Sequence, residues 1–347
     1  MDQDKAPTLK DIAELCQVSI MTVSRAFRQD SIIHPETRRK ILHTAEALNY
    51  HGSGRRGRPQ ISRAGQLRQV QLIFGTGSGN TGYFHMRLLT ALEQQLAASG
   101  FECIIRTATG DYDIFLRLLE NARNHRCVAT LVMGDFPESQ LAALISTLPG
   151  SILLDHSGDR RLDGVYSSFS FDNSQAALLG VNHLIRECGR KRILLVNGSR
   201  NHFFSNELLM GYRHALEENQ LPFDANLVLY TDFSAGSAAR IVQEFIDAGG
   251  AFDAVFTNDE MATGVYRVLY ENRIRIPEDA AVCGCDELPV GKQLYPELTS
   301  ISLDYTDLAR KAIALLNDSG RKLNRSVHTK LAPVLKRGKS TACSSNC

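Results

Sequence analysis

Apolar positions near the start of the chain recur at the spacing of short helices. In the stretch TLKDIAELCQVSIMTVSRAF, Ile12, Ala13 and Cys16 form one apolar face, and Val23 and Ala26 form a second. The pattern predicts two short helices, joined by a tight turn, that bury these five side chains.

The predicted helix boundaries carry residues that suit helix starts. Thr8 is a good N-cap with Asp11 three residues on, as in a capping box, and Ser19 can cap the second helix. A third helix opens at His34-Pro35-Glu36 and has an apolar stripe of Ile41, Ala45 and Leu48. Three such helices predict a helix-turn-helix unit whose second helix enters the DNA major groove. A plain three-helix bundle with a solvated polar face would show the same burial pattern.

The outward positions of the second helix are the candidates for contact with bases. Arg25 can pair bidentately with guanine, whereas Ile20 and Met21 can make only apolar contacts, for example with thymine methyl groups. Ser24 also faces outward. Short hydroxyl side chains near helix N-termini suit phosphate oxygens. These hydroxyl side chains are those of Thr8, Ser19, Thr22, Ser31 and Thr37.

After residue 69 the pattern changes to short apolar strands that alternate with amphipathic helices. The strand candidates are VQLIF, FECII, ATLVMG, SILLD, RILLVNG, LVLY, DAVFTN and AAVCGCD. In the helix candidate HMRLLTALEQQLAAS the leucines at 88, 89, 92 and 96 share one side, and Gly100 can stop the helix. About ten strands predict an α/β fold with two parallel sheets, each flanked by helices.

Polar and aromatic residues follow several of these strands. They are Asp155, Asn173, Phe233, Asn258, Asp286 and Tyr305. Ligands of open parallel sheets bind beyond the carboxyl ends of the strands, so a cleft between two such lobes is the expected pocket. Carboxylates and amides beside an aromatic face suit a small polyol or sugar. Any one of these residues could instead be a helix cap, and Asn258 is the most ambiguous.

The N-terminal segments TLKDIAELCQVSIMTVSRAF, HPETRRKI and ALNY resemble the DNA-binding headpiece of the lactose-repressor (LacI/GalR) family. The resemblance implies that Ile20, Met21 and Arg25 contact bases and that Tyr50 closes the headpiece. It also implies a two-lobed core similar to periplasmic binding proteins, because FDNSQAALLGVNHL, GYRHALEEN, TNDEMATGVYRVL, IPEDAAVCGCDE, YPELTSI and VLKRGKST are similar to the family's core.

Within that core the resemblance implies an effector site. Its residues are Asp155, Phe233, Asn258, Asp286 and Tyr305. One position departs from the family pattern, because Leu208 replaces an arginine commonly used for ligand, and Asn206 or Arg200 is the candidate substitute.

A competing motif follows the first core strand. In GTGSGNTGYF, Gly77, Gly79 and Gly82 match G-x-G-x-x-G, and Glu102 lies twenty residues beyond, as in an NAD(P)-dependent oxidoreductase. However, Glu102 begins its predicted strand, whereas ribose recognition needs an acid at the carboxyl end.

No obvious acid–base pair accompanies the loop, and isolated histidines such as His85, His156 and His202 are typical of surface or satisfied positions. We therefore interpret the loop as a pocket edge, where Tyr83 or Phe84 packs against ligand, and predict no enzyme activity, no cofactor and no metal site.

The linker GSGRRGRPQ cannot hold a helix, because glycines loosen it and Pro59 interrupts it. The family has a hinge helix here, with a leucine that enters the minor groove, but this chain has no leucine in the region before Leu67. It has Arg56-Gly57-Arg58-Pro59, the core of AT-hook peptides. Arg56 and Arg58 can therefore bind an A·T minor groove. A flexible basic tether, which adds only phosphate attraction, is the alternative.

Charge and composition fit this division of the chain. Residues 1–69 carry 12 Lys and Arg against 7 Asp and Glu, while the remainder carries 27 against 31. A basic module on a mildly acidic body is expected where one end meets phosphate. The eight cysteines lack zinc spacing, and the first residues carry no export signal, so we predict a cytoplasmic protein that does not enter a membrane.

These observations lead to one functional hypothesis. We expect a homodimeric transcription regulator that represses at a pseudo-palindromic operator in double-stranded DNA and responds to a sugar, sugar acid or sugar phosphate. The expected domains are a headpiece over residues 1–50, a linker over 51–68 and a core over 69–347. Within the core we expect an N-lobe of about 69–172 and 302–332 and a C-lobe of about 173–301 and 333–347.

Overall fold

The computed structural model describes residues 8–27, 33–48, 68–76, 82–156, 164–318 and 326–342. The chain divides into two units, residues 1–67 and 68–347, and each is described by itself. Six residues with predicted roles lie outside the described ranges, namely Ser31, Tyr50, Arg56, Arg58, Gly77 and Gly79.

The first unit contains three helices, α1 (Leu9–Cys16), α2 (Ile20–Ala26) and α3 (Pro35–Ala47). The predicted capping box is confirmed, because the Thr8 hydroxyl accepts from the Asp11 amide and the Asp11 carboxylate accepts from the Thr8 amide at 2.6 Å. Ser19 caps α2 through a 3.0 Å hydrogen bond from the Thr22 amide. The buried core is the predicted one, Ile12, Ala13, Cys16, Val23, Ala26, Ile41 and Ala45.

The second unit alternates strands and helices. In chain order its elements are β1 (Arg68–Thr76), α4 (Tyr83–Ala98), β2 (Phe101–Ala108), α5 (Tyr112–Asn124), β3 (Ala129–Asp135), α6 (Glu138–Thr147), β4 (Ile152–Leu154), β5 (Ser167–Phe171), α7 (Asn173–Asn182), β6 (Ile193–Asn197), α8 (Phe203–Glu218), β7 (Val228–Tyr230), α9 (Ala235–Asp247), β8 (Ala254–Phe256), α10 (Asp259–Glu271), β9 (Ala281–Cys285), β10 (Thr299–Ser302), α11 (Tyr305–Asp318), β11 (His328–Leu331) and β12 (Val334–Lys336).

These strands form two six-stranded sheets. The N-lobe sheet has the order β11-β5-β4-β3-β1-β2, and the C-lobe sheet has the order β12-β10-β9-β8-β6-β7. Neighbouring strands are parallel except β12, which runs antiparallel to β10. The α/β class with two parallel sheets is therefore confirmed. Within the described residues there are twelve strands rather than about ten, because β11 and β12 are short and carry charged residues instead of an apolar run.

The chain passes between the two lobes at three places in the described ranges. The crossings lie at Asp172, between β5 and α7, at Leu303-Asp304, between β10 and α11, and at Ala332-Pro333, between β11 and β12. Helix α7 packs on C-lobe strands, whereas α11 packs on α4 and β5 of the N-lobe. Neither lobe is therefore one continuous segment of the chain.

The packing of the strands explains the cysteine pair of the sequence. Cys283 and Cys285 lie in β9 and are fully buried, and burial raises the pKa of both thiols well above the usual range. Their role is packing, as the apolar strand context predicts. None of the helices in the described ranges combines the length and the apolar character that crossing a bilayer requires.

Candidate functional site

A cavity lies in the second unit between the two lobes, beyond the carboxyl ends of β3, β4, β7, β8 and β9. The space between its lining residues, including the open mouth, is about 730 Å³. The parallel strands bring their ends to the same edge of each sheet, so the loops that follow them form the wall.

Five of the eight predicted effector residues lie on this wall. They are Phe84, Asp155, Phe233, Asn258 and Asp286. Phe84 and Asp155 belong to the N-lobe, while Phe233, Asn258 and Asp286 belong to the C-lobe. The fold therefore brings together residues that are up to about two hundred positions apart in the chain.

The other three predicted effector residues lie off the wall. The Tyr83 side chain is 63% exposed and lies in a separate groove, and Asn206 is exposed on α8. Tyr305 is buried behind the wall, where its hydroxyl donates a 3.1 Å hydrogen bond to the backbone carbonyl of Asp286. Tyr305 supports the loop that carries Asp286 and is not one of the residues that line the cavity.

Asp155 and Asp286 have the most unusual environments on the wall. Each has φ in the left-handed region, 51° and 107°, and each has a buried Oδ1 that makes no hydrogen bond within the described structure. Burial raises the pKa of Asp155 to about 7 and that of Asp286 well above the usual range. Strained backbone and unsatisfied buried acceptors are typical of binding sites, where a ligand supplies the missing donors.

Asn258 has two roles at once. It is the N-cap of α10, where its Oδ1 accepts a 2.8 Å hydrogen bond from the Met261 amide, and it also lines the cavity. Asn173 is buried at the start of α7, and its amide donates to Glu207 at 3.0 Å. It does not line the cavity. The cap alternative therefore holds for Asn258, although it does not exclude this residue from the pocket.

Helix starts supply wall residues that the strand-end pattern did not select. These are His85 in the first turn of α4, His202 at the N-cap of α8, Phe203 and Phe204 after it, and Glu260 in the first turn of α10. In a strand–loop–helix unit the first turn of the helix lies at the same edge as the strand end. Selecting the first-turn residues of each helix that follows a strand would therefore have identified these wall residues from the sequence.

The two cavity histidines correct the interpretation of His85 and His202 as surface or satisfied residues. Burial lowers the pKa of His85 to about 4 and also lowers that of His202, whose Nε2 lies 3.8 Å from Oδ1 of Asp135. Both imidazoles are therefore neutral near pH 7. Within the described residues no group of three or more His, Cys, Asp or Glu side chains is arranged to hold a metal ion.

Neither candidate substitute for the missing arginine lies on the wall. Leu208 is fully buried in the core. The Arg200 guanidinium stacks on the Tyr230 ring, 4.0 Å from its centroid, and Asn206 is exposed away from the cavity. The described wall therefore contains no lysine or arginine.

The predicted base-contacting face of the first unit is exposed on α2. Ile20 is 49% and Met21 64% exposed, and Arg25 is exposed beside them, whereas Thr22 and Ser24 are half-buried. The hydroxyls of Ser19 and Thr22 lie 2.8 Å apart in a hydrogen bond. Leu15 and Leu42 are also exposed in this unit, so exposed apolar side chains are not confined to α2.

Comparison with known proteins agrees with both units. Residues 8–53 match the family model of bacterial regulatory proteins, lacI family, and residues 181–341 match that of a periplasmic binding protein-like domain. The chain therefore has a lacI-family DNA-binding domain and a periplasmic binding protein-like domain, the domains of a DNA-binding transcription regulator rather than an enzyme.

Individual relatives cover most of this chain. The HTH-type transcriptional regulator GalR of Salmonella typhimurium (strain SL1344) is 27% identical over 312 residues, which are 89% of this chain and 88% of GalR. The structure of a transcriptional regulator CelR–cellobiose complex has a TM-score of 0.71 at 25% identity and covers 96% of this chain and 99% of CelR. The lac repressor dimer bound to operator and an anti-inducer has the same fold, with a TM-score of 0.76 at 21% identity over 97% of this chain and 99% of its own.

The position of Glu102 also argues against the dinucleotide-binding alternative. Glu102 is the second residue of β2, at the edge opposite the cavity, and its carboxylate accepts a 2.8 Å hydrogen bond from Gln69. Gly82 is the N-cap of α4, while the loop before it lies outside the described residues. Glu102 is therefore at the wrong end of β2 for ribose recognition, and Asp111, three residues beyond the carboxyl end of β2, accepts from the Asp113 and Ile114 amides as the N-cap of α5.

Proposed function

We propose that the protein is a sequence-specific repressor whose operator affinity is controlled by a small sugar-like effector bound between the two lobes. The observation that carries the proposal is the cavity itself, where unsatisfied buried carboxyls from both lobes meet aromatic side chains in a chain that also has a helix-turn-helix unit. The CelR–cellobiose complex supports a sugar-like ligand class.

On the DNA side, α2 would lie in the major groove with Ile20, Met21 and Arg25 against base edges. Hydroxyls at Thr8, Ser19, Thr22 and Thr37 would contact phosphates, in addition to the capping bonds that Thr8 and Ser19 already make. A homodimer would present two headpieces to the halves of a pseudo-palindromic operator, since a two-fold axis in the protein matches one in the site.

The effector would couple to DNA through the relative position of the lobes. A ligand that contacts both lobes favours the arrangement in which both sets of contacts form. Coupling of ~1–3 kcal/mol would change operator affinity by ~5–150-fold. The three crossings are the places where the lobes can rotate relative to each other.

The experiment uses the purified full-length chain. Genomic fragments are selected for binding at moderate salt, and the selected site is then titrated in the presence of sugars and polyols. We expect a symmetric site, and at least one compound that changes its affinity within the range above. Equal binding to all fragments, with and without these compounds, would overturn the proposal.

The linker is tested separately on the selected operator. If Arg56 and Arg58 bind the minor groove, replacement of both by lysine keeps the charge but removes any preference for A·T at the operator centre. If that preference survives the change, the linker acts only as a basic tether.

A further inference from the structure

The charged groups on the cavity wall are unbalanced. Four carboxyl groups line it, from Asp135, Asp155, Glu260 and Asp286, while no lysine or arginine does so among the described residues. The two imidazoles of the wall, His85 and His202, are held in the neutral form by burial, which lowers the pKa of each. Arg87 donates to the backbone carbonyls of Asp286 and Glu287 from outside the wall, so the described wall itself offers a phosphate or carboxylate ligand no lysine or arginine with which to pair.

Helix N-termini would normally favour an anion at this edge of a sheet, because their free amides carry partial positive charge. Here three such termini face the cavity, and each is already capped by a side chain of the protein. The Glu260 carboxylate accepts from the Tyr83 amide of α4, His202 accepts from the Phe204 amide of α8, and Asn258 accepts from the Met261 amide of α10. Fewer free backbone amides are therefore available to bind an anion than three uncapped helix N-termini would provide.

Two of the carboxyl groups each have one oxygen atom without a donor. Asp155 follows β4 in the N-lobe and Asp286 follows β9 in the C-lobe, and the Oδ1 atom of each is fully buried without a hydrogen bond. They lie close enough for the charge of Asp155 to raise the pKa of Asp286. A buried acceptor that stays unpaired makes folding less favourable, so a ligand that supplies donors to both oxygens has a favourable place to bind.

Aromatic rings complete the wall. Phe84 from the N-lobe and Phe203, Phe204 and Phe233 from the C-lobe line the same cavity. Ring faces attract a cation and also stack on the apolar face of a carbohydrate ring. The wall thus offers negative charge and π-surface together, the combination that favours a positively charged, hydroxylated molecule.

We propose that the effector is a hydroxylated small molecule with a protonated amine, such as an amino sugar or aminated polyol, and that its ammonium group binds between Asp155 and Asp286. The inference rests on the proposed function, since it assigns a ligand class to the same cleft. An ammonium group has three donors and no acceptor, so it can donate to both orphaned oxygens. Its positive charge also favours the ionised form of Asp155 and Asp286, whose raised pKa values otherwise favour the protonated form. Leu208, in place of the family arginine, removes a cation that would have repelled it.

The test compares sugars that differ at one substituent. Glucose, glucosamine, N-acetylglucosamine, glucose 6-phosphate and gluconate, with the corresponding galactose set and aminated hexitols, are titrated calorimetrically into the full-length protein. We expect the free amine to bind roughly tenfold or more tightly than its hydroxyl parent, because a charge-assisted hydrogen bond replaces a neutral one. The acetylated compound should lose that gain, and the phosphate and acid should bind most weakly.

Substitutions test where the amine binds. Asp155→Asn and Asp286→Asn keep the shape of each side chain and remove its charge, so each should reduce the ratio of amine to parent affinity to within about threefold of unity. Asp247→Asn, on the exposed end of α9, is the matched control and should leave the ratio unchanged. If an aspartate variant fails to fold, Glu260→Gln tests the same charge argument nearer helix α4 and should lower the ratio by a smaller factor.

The outcomes separate this inference from the proposed function. If the neutral parent binds as tightly as the amine, or an anionic sugar binds more tightly than both, the amine assignment is wrong while a sugar-like effector stands. If no compound of the set binds, the amine assignment falls together with the sugar-like ligand class. If both aspartate variants keep the full ratio of amine to parent affinity, the ammonium group binds elsewhere and the assigned position is wrong.

Discussion

The backbone amide of Tyr83, the first residue of α4, donates a 3.3 Å hydrogen bond to the Glu260 carboxylate on α10. Gly82, the N-cap of α4, has no side chain with which to cap the helix. The N-lobe helix therefore receives its cap from the C-lobe, and the contact lies at the edge of the cavity. Because this cap comes from the other lobe, the stability of the first turn of α4 depends on how the two lobes are arranged.

Replacing Glu260 by alanine should loosen the first turn of α4. The lost hydrogen bond to a charged acceptor corresponds to roughly 1–2 kcal/mol, so amide exchange in that turn should rise by about five- to thirtyfold while the last turn of α4 stays unchanged. Hydrogen–deuterium exchange with mass spectrometry measures both turns. Glu271→Ala, at the other end of α10, is the control, and equal exchange in both variants would contradict the role of the contact.

Arg25 should determine sequence preference rather than general affinity for DNA. Arg25→Ala should weaken binding to the selected operator by about 1–3 kcal/mol and should relax preference at one base pair of each half-site. Non-specific DNA should be affected much less. Fluorescence anisotropy with matched and substituted operators measures both effects, and Lys10→Ala on the exposed side of α1 is the control. A uniform loss over all sequences would instead assign Arg25 to phosphate contact.

Asp155 should make folding less favourable as pH rises. Its pKa is raised from 3.8 to about 7, mainly by burial, while the hydrogen bond from the Phe171 amide opposes the shift and the nearby charge of Glu207 adds to it. Between about pH 4 and 7 the unfolded chain loses this proton and the folded chain keeps it, so the free energy of unfolding falls with pH.

Asp155→Asn removes that titration. The variant should gain stability relative to the parent protein as pH increases from 4 to 8, by on the order of 2–4 kcal/mol at the upper end. Urea unfolding followed by circular dichroism at several pH values measures the difference. Asp247→Asn supplies the exposed comparison, and an identical pH slope in the Asp155 variant and the parent would refute the argument.

Gly198 should be intolerant of any side chain. A Cβ atom there would overlap the ring of Phe233, so Gly198→Ala must push the ring toward the cavity or shift the backbone. We expect a loss of about 1–3 kcal/mol in stability together with weaker effector binding. Gly236→Ala in helix α9 is the control, because a Cβ atom at this position meets open space. This variant should be neutral or stabilising by up to about 1 kcal/mol. Thermal unfolding and calorimetry distinguish the two variants.

The headpiece could be predicted almost to the residue because its signals are local. Thr8, Asp11, Ser19 and Pro35 set helix starts through bonds to neighbours in the chain, and the apolar period selects the core. Strands β11 and β12 were not predicted, because HTKL and VLK become strands only through pairing with β5 and β10.

The cavity was predicted in part for a related reason. Asp155 and Asp286 end apolar strands that periodicity identifies, so parallel pairing places each at the carboxyl edge of its own sheet. The two residues belong to different sheets, so their approach to each other depends on how the two lobes pack. Whether an aromatic residue lines a cavity or supports it from behind depends on packing, which the strand pattern does not contain. Tyr305 was therefore predicted to contact the ligand, whereas it is buried behind the residues that line the cavity. His85 and His202 were missed because a histidine's burial, and hence its protonation, is decided by contacts distant in sequence.

The three crossings between the lobes have a consequence for synthesis. The headpiece leaves the ribosome first, whereas the C-lobe sheet gains its edge strand β12 only when nearly all of the chain has emerged. On the proposed function, a nascent polypeptide can thus hold a complete DNA-binding headpiece before its effector-binding core is complete. Truncation between the headpiece and β12 would then release a product with an intact headpiece and an incomplete effector-binding core.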